Sequence, residues 1–217
     1  MDASFWLVWT GQLSRIILLA VGLLGLARYR QLPSGLRYLV GLVWFGLTIE
    51  VCAKVLHDWK GSNLLLAPID AAGELWLLSL VYAWALDSAT FSRLRPWLFG
   101  AFVLYAGFTV ALAPEFTRFK TGVMVLESLG MMLLAGLYFR KLLNELQVPR
   151  LSQAPMFWVS TGLLLYALGK FLIALFSNYM LAHYSLQLSL VMWTIHAMLI
   201  VVLYLGYGRA LWMRPQR

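Results

Sequence analysis

Glu50 and Lys54 stand four residues apart in GLTIEVCAKVLHDW, a stretch otherwise apolar enough to cross a bilayer. A charge near mid-membrane is costly, so such residues face a bundle interior, a wet cavity or an ion partner. The i,i+4 spacing puts both side chains on one helix face, within reach of each other. Asp70 and Glu74 repeat that spacing, but two carboxylates one turn apart repel. They need a cation nearby, from Lys54, Lys170 or Arg15, or else one of them keeps its proton. A proton held there would be a coupling site for transport or signalling. Glu127, Lys170, Arg15 and His196 interrupt further apolar runs, and Tyr166 precedes Lys170 by one turn. Gly162, Tyr166, Gly169 and Lys170 fall broadly on one face, which leaves room beside the lysine. The chemistry these types offer is recognition: the basic trio for an anionic group, the acids for a cationic group or a proton.

The elements that must position these groups are long apolar helices. Of 217 residues, 62% are hydrophobic and only 12% charged, and mean hydropathy is +0.78. A soluble domain carries about 25% charge, so little room is left for a soluble fold or a separate soluble domain. Runs of about 5–27, 36–56, 64–86, 96–113, 121–139, 154–177 and 186–207 approach or exceed the roughly 20 residues a span needs. The expectation is an all-α, seven-helix transmembrane bundle forming a single domain over residues 1–217. Helix 4 is expected to start at Pro96, because proline suits a first helical turn. RKLLNELQVPRLSQ reads as the longest polar link, limited by Pro149 and Pro155. The stretch MDASFWLVW lacks a basic n-region and a small-residue cleavage pattern, so the first helix is expected to be retained.

Basic residues give an orientation. Arg28, Arg30, Arg37, Arg93, Arg95, Arg140, Lys141, Arg150, Arg209, Arg214 and Arg217 fall on one side, against Lys60, Arg118 and Lys120 on the other. Positive-inside bias places the first set in the cytoplasm, the N-terminus outside and the C-terminus inside. Glu50, Lys54, Asp70, Glu74, Glu127 and Lys170 then lie in the outer half, with Arg15 and His196 near the middle. If the helices form one bundle, these residues converge on an outer pocket.

GLTIEVCAK, positions 46 to 54, aligns without a gap on GLLLYALGK, positions 162 to 170. Glu74 to Tyr82 likewise aligns on His196 to Tyr204. Together these suggest a 3+1+3 parallel repeat with the charge-poor helix 4 as linker. The plan resembles that of small seven-helix sugar transporters, and equally that of seven-helix receptors. It departs from both in detail. Gln153–Ala154–Pro155 is the nearest approach to the transporters' proline–glutamine signature, and helix 7 carries His196 where a retinal-binding protein needs a lysine. No family is assigned.

Other chemistries are weakly supplied. Cys52 is the only cysteine, which rules out an intrachain disulfide and any multi-thiolate site. Protease, hydrolase, phosphate-loop and dinucleotide motifs are missing. The net charge of +8 sits at helix ends rather than in an arm, so nucleic acid is not expected as a partner. A zinc site from His57, His183, His196 and an acid would serve a lipid-modifying enzyme, with Glu74 or Glu127 as base. The favoured expectation needs no metal or cofactor. It is a cell-membrane protein, a transporter for a small polar or zwitterionic solute. The alternatives are a sensor working through a cytoplasmic partner, a lipid-modifying enzyme, and a bundle whose ion pairs only fix helix register.

Overall fold

A bilayer offers no water to backbone groups, so chains crossing it satisfy their own hydrogen bonds as helices. The computed structural model describes residues 3–60, 66–112, 121–145, 151–183 and 186–213. Among them are seven α-helices: α1 (Ala3–Arg28), α2 (Ser34–Lys60), α3 (Ala67–Leu86), α4 (Ala89–Leu112), α5 (Thr121–Glu145), α6 (Pro155–His183) and α7 (Leu186–Trp212). All seven are long and apolar enough to cross a membrane. The described residues are all-helical apart from short links, and the chain has the build of a multi-pass membrane protein.

Two expected boundaries are corrected. α4 starts at Ala89, so Pro96 lies inside the helix rather than at its first turn. The side chain that starts this helix is Ser88, whose Oγ accepts the Phe91 N–H at 3.4 Å. RKLLNE is helical to Glu145 rather than a link. Its Lys141 and Glu145 face each other at i,i+4, 3.7 Å apart. Lys60, Lys120, Arg118, Arg150, Arg214, Arg217 and His183, used in the orientation and zinc readings, have side chains outside the described residues.

Six helices close a ring: α1 packs on α7, α7 on α6, α6 on α5, α5 on α3, α3 on α2, and α2 on α1. α4 leans on α3 and α5 from outside, through a small contact of Ala106 and Phe102 with Ala71 and Val123. Its other faces carry exposed apolar side chains such as Trp97 and Leu104, the pattern of a surface that meets lipid.

The arginine-rich half of the ring is filled. Leu39, Leu78, Val81, Tyr82, Val159, Leu163 and Leu211 are buried together, and the Tyr82 hydroxyl shares a 2.8 Å hydrogen bond with Ser160 Oγ across α3 and α6. At the same end Lys141 Nζ donates to the carbonyls of Ala85 at 3.1 Å and Leu86 at 3.0 Å. This caps the open C-terminus of α3 with a cation, as the helix dipole favours. Arg28 donates to the Leu211 and Trp212 carbonyls and ties the end of α1 to the end of α7.

The α6–α7 contact brings two backbones close together. A Cβ at Gly206 would lie 2.8 Å from the Trp158 carbonyl oxygen, and one at Gly162 3.4 Å from the Leu203 backbone. Gly206→Ala therefore cannot be absorbed by a side-chain rotation and must part the two helices. The expected cost is about 1–3 kcal/mol, read as a lower unfolding temperature in detergent. Gly107→Ala, where a Cβ meets nothing within 4 Å, should match wild type.

Candidate functional site

The opposite half of the ring is hollow. A cavity of about 520 Å³ is lined from α2, α3, α5, α6 and α7, with Ser14 from α1. Its deepest polar feature joins three helices. Lys170 of α6, buried, donates Nζ to Glu127 Oε1 of α5 at 2.6 Å and to Glu74 Oε2 of α3 at 3.4 Å. Glu127 is 1% exposed, so this pair sits where water cannot replace either partner.

Asp70 lines the cavity one turn before Glu74, in the first turn of α3. Among the described residues its carboxylate has no hydrogen bond or ion pair. Tyr166 lies one turn before Lys170, which holds its ammonium 5.4 Å from the tyrosine ring centre, a cation–π distance. The His196 ring is 5.7 Å from Tyr166 and 5.9 Å from Trp193. Its Nδ1 is shielded from solvent and has no hydrogen-bond partner among the described residues. The Tyr207 hydroxyl, also in the lining, is in the same condition.

The remaining sequence candidates fall elsewhere. Glu50 lines the cavity, but its partner is Arg15 Nε of α1 at 2.8 Å, not Lys54. The lining stripe of α2 runs Leu42, Val43, Phe45, Gly46, Ile49, Glu50, Ala53, and Lys54 lies past its edge, exposed. Arg15 is half-exposed outside the cavity and touches it only through Glu50. The expected basic trio is therefore not assembled. One cation, Lys170, faces Asp70, Glu74 and Glu127.

Sequence reasoning passed over the aromatic wall. Phe45, Trp193, Tyr204 and Tyr207 line the cavity alongside Tyr166. Their signal was available: Trp193, His196, Ile200, Leu203, Tyr204 and Tyr207 recur at helical spacing on one face of α7. The Phe45 ring lies where a side chain at Gly73 would be, so glycine there brings the wall against the α3 backbone beside Glu74. Among the described residues, no group of three or more His, Cys, Asp and Glu side chains could hold a metal ion.

No known family, curated protein or solved structure matches this chain. What the site can do follows from its own groups. Surplus carboxylates with aromatic side chains around them suit an organic ammonium.

Proposed function

We propose that the protein binds a small cationic or zwitterionic solute in the cavity through an ammonium group, and carries it across the cell membrane. The observation that carries this reading is the imbalance of three carboxylates on one lysine, with Asp70 facing the cavity unpaired. A bound ammonium supplies the missing positive charge, and Phe45, Trp193 and Tyr204 offer it ring faces. The N-terminus is outside in this proposal, so the cavity opens to the exterior. A 3+1+3 repeat fits the ring order, in which α1, α2, α3 and α5, α6, α7 follow one another with α4 between them outside the ring. A carrier of this kind must part its packed arginine-rich half to release solute.

That packed half supports a second reading. A floor of fully buried apolar side chains suits a sensor, in which ligand shifts the bundle and a cytoplasmic partner reads the shift. One experiment tests binding and then separates the two. Purified protein is screened by thermal shift against tetramethylammonium, betaine-type zwitterions, amino acids, sugars and carboxylates. Ammonium compounds should stabilise by about 2.7 kcal/mol at a hundredfold excess over Kd, and sugars and simple anions should not. Stabilisation by anions alone would sink the reading. Uptake of the stabilising compound into proteoliposomes then marks a carrier, and binding without uptake marks a sensor.

A further inference from the structure

The α1–α2 contact differs between the two halves of the ring. In the arginine-rich half the two helices pack closely: a Cβ at Gly25 would lie 2.8 Å from Val40, and one at Gly22 3.3 Å from Leu47. On the cavity half, a Cβ at Gly11 meets nothing within 4 Å. What spans the gap there is the Arg15–Glu50 pair, with side chains 49% and 38% exposed. Glu50 lines the cavity, and its partner Arg15, which is not in the lining, carries the pair to the exposed face of α1.

The depth of this pair makes it unusual. Arg15 lies twelve residues into α1 and Glu50 ten residues inside the end of α2, about 15–18 Å along each axis. In a hydrocarbon layer about 30 Å thick that is close to the middle. Neighbouring side chains on the outer faces, Ile16 and Leu19 of α1 and Val51 and Val55 of α2, are apolar and exposed, as lipid-facing residues are. A half-exposed ion pair among them is costly unless something polar lies against it. Among the described residues Arg15 engages only its Nε, so its terminal guanidinium nitrogens are available in the fork that matches a phosphate.

We infer that the gap between α1 and α2 is a side entrance from the bilayer, and that the ligand is an amphiphile whose headgroup carries a phosphate and an ammonium. The phosphate sits on Arg15 at the gap, the ammonium enters the cavity toward Asp70 and Glu74, and the hydrocarbon chain stays outside between Ile16 and Val51. This inference rests on the ammonium-binding reading above and adds to it the source of the ligand and its route in.

The test is native mass spectrometry of the full chain, delipidated in maltoside detergent, with four probes. Lysophosphatidylcholine carries chain, phosphate and ammonium. A single-chain phosphoglycerol amphiphile lacks the ammonium, an alkyltrimethylammonium lacks the phosphate, and glycerophosphocholine lacks the chain. One copy of lysophosphatidylcholine should bind, at least roughly tenfold tighter than the other three. Arg15→Gln should reduce it to the level of alkyltrimethylammonium, and Asp70→Asn to that of the phosphoglycerol amphiphile. Lys54→Gln should change neither. Glu50→Gln frees Arg15 and should preserve or tighten binding, whereas a merely structural ion pair would make both of its halves equally necessary.

Glycerophosphocholine binding as tightly as lysophosphatidylcholine, or an Arg15→Gln protein that binds like wild type, would overturn the side entrance and leave ammonium binding standing. If neither lysophosphatidylcholine nor tetramethylammonium binds, both readings fall.

Discussion

Lys170→Met should destabilise the protein more than any other single substitution in the cavity. Methionine fills most of the lysine's volume, so packing loss is small and the effect isolates the charge. Removing the ammonium leaves Glu127, 1% exposed, and Glu74 side by side without compensation. Breaking a buried pair by deleting one partner costs about 3–5 kcal/mol. The control is the partner. Glu127→Gln keeps the shape and removes one carboxylate, so the double variant Lys170→Met, Glu127→Gln should recover a large part of the loss. A coupling of about 1–3 kcal/mol between the two sites is expected for groups in one network. Thermal unfolding of the four proteins in one detergent measures it, and strictly additive losses would show that the three charges do not act as a unit.

Asp70→Asn should do the reverse, leaving the fold intact and removing the ligand. Asp70 has no partner among the described residues and stands one turn from another carboxylate, so neutralising it relieves repulsion. Against that, it gives up a favourable charge in the first turn of α3, worth about 0.3–1 kcal/mol. Stability should change by less than about 1 kcal/mol. A hydrogen bond to a charged group contributes about 1.5–3 kcal/mol, so affinity for an ammonium ligand should fall roughly ten- to hundredfold. Equilibrium binding of the stabilising compound, paired with an unfolding curve, gives both numbers. An Asp70→Asn protein with unchanged affinity would move the ammonium away from Asp70.

The two variants also separate what was legible in the chain from what was not. Seven apolar runs could be counted from hydropathy alone, because each helix must be apolar over its full span. Helix ends could not: Pro96 looks like a first-turn residue, and only the Ser88 cap shows that the helix begins earlier. Single interruptions such as Glu127 and Lys170 stood out because the cost of burying a charge makes each one need a reason. Which charges meet is a property of the ring. Glu50 and Lys54 satisfy the i,i+4 rule, yet Arg15, thirty-five residues away, is the partner Glu50 takes, since α1 passes beside it and Lys54 lies off the lining stripe. Spacing within a helix describes one face, and the order of helices decides what that face sees. The aromatic wall was legible only through the spacing along α7, because in a membrane helix aromatic residues stand out neither by hydropathy nor by charge.

The ring order has a consequence for how the molecule is made. Successive spans run in opposite directions, so most neighbours in the ring are hairpins that form as soon as both helices exist. Two seams are different. α3 lies beside α5 and α1 beside α7, each pair running the same way, as Lys141 at the shared end of α3 and α5 and Arg28 at that of α1 and α7 confirm. No short turn can join parallel neighbours. α4 is the return stroke that makes the first seam possible, and the second closes only when the last helix meets the first, 183 residues apart at the Arg28–Leu211 contact. Loop closure over such a distance is a late event. The α1–α7 seam is therefore expected to close after the hairpins, with the α7-facing side of α1 uncovered until then.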